Sequence, residues 1–493
     1  MILFFFASCT TDKEYQDTAL ELQNLPNTGE LALSHLDSFF EIAQINNGNR
    51  TTGSSGYDAS VEYVQSQLEG YGYSVEKQEF FVPTFVVLSP PNIQIGTNSA
   101  FDTNLFSPLV YSGSGNGVGI LQEVDVIIPP QAPNSSTSGC QAEDFHDFIF
   151  GGIALIQRGS CTFWEKAKNA QEAGAIAVII FNEGQNGRQD KVDGTLGEVG
   201  ITIPVVGTSY DTGLLLLEHI GEEISFDVQT SVENLPSYNV IAEFGEGADI
   251  LMVGAHLDSV PSGPGINDNA SGSASILAVA QRLAAEHVSL DKKIRFAFWG
   301  AEELGLLGSF YYTESLESSA VSQISAYLNF DMVGSPNFIR MVYDGDGSES
   351  ALSGPLGSAQ IEEVFKDVFR EKQLSFTETV FDGRSDYAGF IALNIPSGGL
   401  FSGAEGTMTI QQAENFEGEA SVSYDSCYHQ ECDDRDNINE EGFISMVEVI
   451  EEVIRVLGNT EIESQQSFAP RVSDSLVFEP EILQHNSGCH IEK

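Results

Sequence analysis

The spacing of apolar positions changes period along the chain, and each change predicts a different element. From Leu31, LALSHLDSFFEIAQ brings Leu33, Leu36, Phe40 and Ile42 near one face, which is a helical repeat. The following NNGNRTTGSSG is rich in Gly, Ser and Asn and predicts a loop. YDASVEYVQSQLEGYGY then places Val61, Val64 and Leu68 on a second amphipathic helix that ends at Gly70 and Gly72. SVEKQEFFVPTFVVL, with its β-branched and aromatic residues, predicts a strand.

Between about 100 and 235 the chain becomes Gly-rich and aliphatic, with turns expected near Gly113–Gly119 and Pro129–Pro133. GGIALIQRG, AVIIFN and GITIPVVGTS predict strands, and CTFWEKAKNAQEAGA a helix. Strand, helix and strand in that order imply a small α/β module with a crossover. His146 and His219 are its isolated histidines, neither with an evident partner.

From Tyr238 the alternation is regular. DILMVGAH, KKIRFAFWG, ISAYLNFDM and IPSGGLFSG predict strands. SASILAVAQRLAAE, LGLLGSFYYTES, GSAQIEEVFKDVFREKQ and EGFISMVEVIEEVIRVLG predict helices between and after them. Strands that are apolar on both faces require cover on both sides. The expected fold is therefore α/β, a mixed but mostly parallel sheet flanked by helices on both faces, with a small α/β module inserted. The expected organisation is a leader and linker over 1–29, one domain split over 30–100 and 237–460, an insertion over 101–236, and a tail over 461–493.

Charge narrows the function. The chain has 493 residues with a formal net charge of −51, which repels phosphate backbones and anionic lipid and argues against nucleic-acid binding. No run of 18 apolar residues is present, so no transmembrane helix is expected. The start, MILFFFASC, resembles the end of a bacterial lipoprotein signal, in which a cysteine after small residues is lipidated, although no Lys or Arg precedes the apolar run. Lipid anchoring at Cys9 and a clipped secretory signal are the two export readings, beside the plain one of a disordered N-terminus. Both predict an exported protein, secreted or periplasmic, in an oxidising compartment. The spacings of Cys140 with Cys161 and of Cys427 with Cys432 suit local bridges, and neither has the repeated C-x-x-C pattern of a zinc ribbon. Cys489 is left over in the tail.

Ligands of open α/β sheets bind at the carboxyl ends of the strands, so the residues there carry weight. DILMVGAH ends in His256, with Asp258 two residues on; GPGINDNASG supplies Asp268 just before a helix. IRFAFWG runs into Glu302 and Glu303, AYLNF into Asp331, and CYHQECDD supplies Tyr428 and His429. Singly, each of these residues reads as readily as a capping or solvated side chain. Together, two imidazoles and several carboxylates match what a pair of divalent metals needs, and the mixture suits zinc better than magnesium or calcium. Of two adjacent glutamates, one can be a ligand and the other a base. The glycines of GPGINDNASG fit neither a P-loop nor a dinucleotide fingerprint. Asp433, Asp434 and Asp436 match no calcium pattern.

GAHLDSV, GPGINDNASG, FAFWGAEELGLLGS, LNFDMVG, GRSDY and CYHQECD together resemble the M28 family of di-zinc aminopeptidases, the secreted Streptomyces and aminopeptidase Y type, over about 35–95 and 237–458. GGIALIQRGSCTFWEKAKNAQEAGAIAVIIFN resembles the protease-associated (PA) domain inserted in such enzymes. The resemblance implies a zinc exopeptidase-like fold and an enzyme that releases N-terminal residues from peptides and proteins using two zinc ions per chain. It implies that His256 and Asp331 hold one ion, Glu303 and His429 the other, and that Asp268 bridges them. Glu302 would be the general base and acid. Tyr428 would polarise the scissile carbonyl, and Asp258 would orient His256 from behind. Arg384 and Asp386 would lie near the bound amino terminus. Bridges Cys427–Cys432 and Cys140–Cys161 would brace the Tyr428–His429 loop and the PA domain. The competing readings are a carboxypeptidase or dipeptidase of the same class, and a catalytically silent binding ectodomain.

Overall fold

Strands buried along their whole length are stable only between two layers of helix, and the sequence supplies both layers. The computed structural model describes residues 25–464, apart from 97–98, 131 and 350–351. It separates into two units: one formed by the chain up to Phe81 and again from Pro236, the other by Val82–Leu235.

In the first unit the strand order is Thr377–Thr379, Met341–Tyr343, Ser397–Phe401, Ile324–Phe330, Ile250–His256, Lys293–Trp299, then the end of Glu223–Phe244. Ser397–Phe401, Ile324–Phe330, Ile250–His256 and Lys293–Trp299 run parallel to one another, and the strands flanking this group on each side are antiparallel to it. Alternate residues face opposite layers. Leu251, Val253, Ala255, Ile294, Phe296 and Phe298 pack beneath helices Thr28–Ile45, Ser55–Gly70, Ser271–Ala285, Ser358–Glu371 and Glu440–Leu457. Ile250, Met252, Ala297 and Trp299 pack beneath Leu307–Ser315 and Tyr387–Ala392 through Tyr312, Tyr387 and Phe390. Each fully buried Leu, Ile or Phe of these layers contributes about 1.5–3 kcal/mol.

Helix starts follow their capping residues. The Asn27 side chain accepts from Glu30 N at 2.8 Å, and the Ser54 hydroxyl from Tyr57 N at 3.2 Å. Caps of this kind are worth about 1 kcal/mol each.

The second unit pairs residues 223–228 of the long strand with Gly115–Val124, followed by Ile153–Gln157, Ala177–Phe181, Val205–Thr208 and Phe106–Pro108. Helix Phe163–Glu172 covers Ala154, Ile156, Val178 and Ile180, and Tyr210–Leu217 lies on the opposite side with Leu155, Ile179 and Phe181. A disulfide joins Cys140 to Cys161. The segment expected to turn near Gly113–Gly119 instead begins a strand at Gly115. Its glycines answer close approach rather than a turn: a Cβ on Gly117 would lie 3.2 Å from the Phe226 ring, and one on Gly119 would lie 2.7 Å from the Gly151 carbonyl. Among the described residues no helix is long and apolar enough to cross a membrane. Cys9 and Cys489 lie outside the described residues.

Candidate metal centre

Parallel strands that end level with one another deliver their last side chains to one place, and here four strand or helix ends do so. His256 closes the strand Ile250–His256, Glu302 and Glu303 follow Lys293–Trp299, and Asp331 follows Ile324–Phe330. Asp268 comes from Ile266–Ala270, where its own φ of −107° and ψ of 90° depart from helix before the regular helix begins at Ser271. His429 stands on the loop closed by the disulfide Cys427–Cys432, and the Ser262 hydroxyl donates to its carbonyl at 2.7 Å.

Asp268 lies at the centre. Its Oδ1 is 3.1 Å from His256 Nε2, and its Oδ2 is 3.1 Å from His429 Nε2. Asp331 Oδ1 is 3.3 Å from His256 Nε2, and Glu303 Oε2 is 3.1 Å from His429 Nε2. Glu302 Oε2 stands further back, 3.9 Å from His256 Nε2. His256, Asp268 and Asp331 form one group able to grip a cation, and Asp268, Glu303 and His429 another.

The electrostatics are those of a site built for cations. Burial pushes the Glu302 carboxyl well above its usual range, and burial with the neighbouring Asp268 charge pushes Glu303 up to about 7. Burial opposes a proton on His429, yet its hydrogen bonds to Asp268 and Glu303 push it up to about 11. Burial likewise opposes protonation of His256, and the charges of Glu302 and Asp331 more than compensate. Glu303 Oε1 and Asp331 Oδ1 are buried with no hydrogen-bond partner among the described residues. Two imidazoles, four carboxylates and two open carboxylate oxygens fit zinc, and an all-oxygen magnesium or calcium shell does not match this donor set.

The supporting residues are less obvious in sequence. The ring of His256 meets the backbone carbonyl of Asp258 through Nδ1 at 3.1 Å, while the Asp258 carboxylate is 3.6 Å away. A carbonyl can only accept, so this contact places a proton on Nδ1 and turns Nε2 toward the cluster. Asn269 brackets Asp331: its side chain donates to Phe330 O at 2.9 Å and accepts from Met332 N at 3.1 Å. Asp433 accepts from the peptide N–H of Asn267 and Asp268, at 2.8 and 3.0 Å. Arg50 is wholly buried and donates to the carbonyls of Leu257, Pro264 and Gly265, holding the turn between His256 and Asp268.

Tyr428 stacks on His429 with ring centroids 3.9 Å apart, and its hydroxyl accepts from Arg384 Nη2 at 3.2 Å. Burial, with the charges of Asp268 and Glu303, holds the phenol well above its ordinary range, so it remains a proton donor. Arg384 also pairs with Glu405 at 2.7 Å. Asp386 is buried at the start of helix Tyr387–Ala392, and burial above all, with the nearby Asp331 and Asp258 charges, pushes its carboxyl up to about 7.

Comparison with known proteins bears on this arrangement. The model of peptidase family M28 matches residues 239–454, and that of the PA domain matches 123–216. An aminopeptidase of Pseudomonas aeruginosa is 43% identical over 416 residues, covering 83% of this chain and 77% of that protein. Leucine aminopeptidase 2 of Trichophyton equinum is 38% identical, covering 79% and 76%. Among solved structures, the aminopeptidase from Aneurinibacillus sp. strain AM-1 superposes with a TM-score of 0.66 at 25% identity, covering 90% of this chain and 96% of that one. A zinc aminopeptidase from Bacillus subtilis gives a TM-score of 0.60 at 25% identity, covering 90% and 98%.

Proposed function

The chain belongs to peptidase family M28 and is an aminopeptidase of that family carrying a PA domain, and from this premise we propose that it releases N-terminal residues with two zinc ions and Glu302 as proton shuttle. The observation that carries the reading is the double reach of Asp268, one oxygen 3.1 Å from each of two imidazole nitrogens. His256 and Asp331 would hold one ion, Glu303 and His429 the other, with Asp268 shared. Bound there, the ions would supply Lewis acidity to the scissile carbonyl and acidify an attacking water.

The chain's own groups do the rest. Glu302 stands behind the ligand positions, and its carboxyl holds a proton readily because it is buried. It takes the proton of the attacking water and passes it to the leaving amine. The Tyr428 phenol donates a hydrogen bond to the carbonyl oxygen as negative charge develops there. Arg384, bound to the Tyr428 hydroxyl, fixes where that phenol points. Asp386 is buried.

The test is release of an N-terminal residue from an aminoacyl anilide. Chelation abolishes it, added zinc restores it, and the active protein contains two zinc ions per chain. Turnover that survives exhaustive chelation, or full activity with one ion, refutes the reading. Mass spectrometry of a long peptide shows which end shortens; loss from the carboxyl end would make the protein a carboxypeptidase instead.

A further inference from the structure

We infer that Thr52 and Asn239 are positioning residues that hold the Glu302–Glu303 turn in its working conformation. The inference rests on the two-metal reading above. Three consecutive peptide N–H groups of that turn are each taken by a different side chain. Gly300 N donates to Asn239 Oδ1, Ala301 N to Thr52 Oγ1 and Glu302 N to Asp258 Oδ1, each at 3.1 Å. The three acceptors come from separate parts of the chain.

The turn needs such a grip. Ala301 has a φ of 57°, a left-handed conformation that a non-glycine residue adopts only when its surroundings impose it. This sharp reversal lets adjacent glutamates reach different partners, Glu302 toward His256 and Glu303 toward His429. Relaxation of Ala301 to a right-handed φ would redirect both carboxylates together. Gly300, just before it, has no room for a side chain, because a Cβ there would lie 2.0 Å from the Tyr57 hydroxyl.

Thr52 is the pivotal member. Its hydroxyl accepts from Ala301 N and donates to Asp258 Oδ2 at 3.3 Å, so one group joins two of the three acceptors. Asn239 is fully buried, and its amide donates to Gln78 Oε1 at 2.8 Å and Gly308 O at 2.9 Å, which fixes the oxygen offered to Gly300. Thr52 itself is only half-buried, so removing its hydroxyl does not open the core.

The experiment compares Thr52→Val, which deletes the hydroxyl at similar volume, with Thr52→Ser, which keeps it. The zinc-loaded protein is assayed for kcat and KM on an aminoacyl anilide, and separately for zinc release to a chromogenic chelator. Thr52→Val is expected to lower kcat about five- to tenfold with KM nearly unchanged, and to speed zinc release several-fold, since Glu303 shares the turn. Thr52→Ser restores both. Ala301→Gly, which takes a left-handed φ without strain, recovers part of the loss in the Thr52→Val background. Unchanged kcat and zinc release in Thr52→Val, or a loss that Thr52→Ser does not reverse, overturns the inference. A wild-type protein indifferent to chelation would instead overturn the two-metal reading beneath it.

Discussion

The two glutamates that follow Trp299 are one residue apart and chemically identical, so exchanging each in turn tests the division of labour directly. Glu303 Oε2 is 3.1 Å from His429 Nε2, whereas Glu302 Oε2 is 3.9 Å from His256 Nε2. On the proposed assignment, Glu302→Gln removes a proton acceptor and leaves the five proposed ligand groups in place. A positioned general base is worth about 10²- to 10⁴-fold. That corresponds to about 2.7–5.4 kcal/mol of barrier. We expect kcat to fall by that factor, KM to change little, and the zinc content after dialysis to match wild type. Glu303→Gln removes a proposed ligand and should lower zinc content before anything else, with part of the activity returning at high zinc. The assay pairs steady-state kinetics on an aminoacyl anilide with elemental analysis of the same samples. If Glu302→Gln lost metal while Glu303→Gln kept it, the assignment of base and ligand would be reversed.

Other consequences can be measured away from the reaction. Burial lowers the His35 imidazole to about 4. Below pH 6.5 the unfolded chain gains a proton that the folded chain refuses, so stability falls as pH drops, by about 2 kcal/mol between pH 7.5 and 5 from this group. Urea unfolding of His35→Gln should show a flatter acid limb than wild type; an identical slope refutes the assignment. Cys140 and Cys161 close a loop with a sequence separation of 21, so Cys140→Ser/Cys161→Ser should cost the second unit about 3 kcal/mol, seen as an earlier calorimetric transition. Cys427→Ser/Cys432→Ser should act differently, loosening the loop that carries His429, with faster zinc loss to a chelator and little change in the main unfolding transition.

What the sequence made legible was set by how local each signal is. The strand Ile250–His256 is buried at every residue, and a run that apolar can be recognised without its neighbours. Because parallel strands expose their carboxyl ends together, His256, the Glu302–Glu303 pair and Asp331 could be named as one cluster from order alone. Thr52, Asn239, Asn269 and Asp433 gave no such signal. Each acts through hydrogen bonds to backbone groups far away in the chain, and a lone polar residue looks the same in the sequence whether it meets water or a buried N–H. Arg50 shows the gap most sharply. It stands in a polar, Gly-rich stretch that reads as loop, yet its side chain is wholly buried among three carbonyls. Helices Tyr210–Leu217, Tyr387–Ala392 and Ile410–Phe416 were too short for a clear period, and the strand at Gly115–Val124 was hidden by its glycines.

The reach of Arg50 to Leu257, Pro264 and Gly265 has a consequence for biosynthesis. All of Val82–Leu235 is translated between the guanidinium and the carbonyls it must find. At about 5–20 residues per second, the first helices emerge from the ribosome some ten seconds or more before their partners exist. A newborn chain thus carries the amphipathic helices Thr28–Ile45 and Ser55–Gly70 without their later partners while the intervening residues are made. The turn between His256 and Asp268 therefore gains its buried guanidinium only once synthesis has passed Gly265.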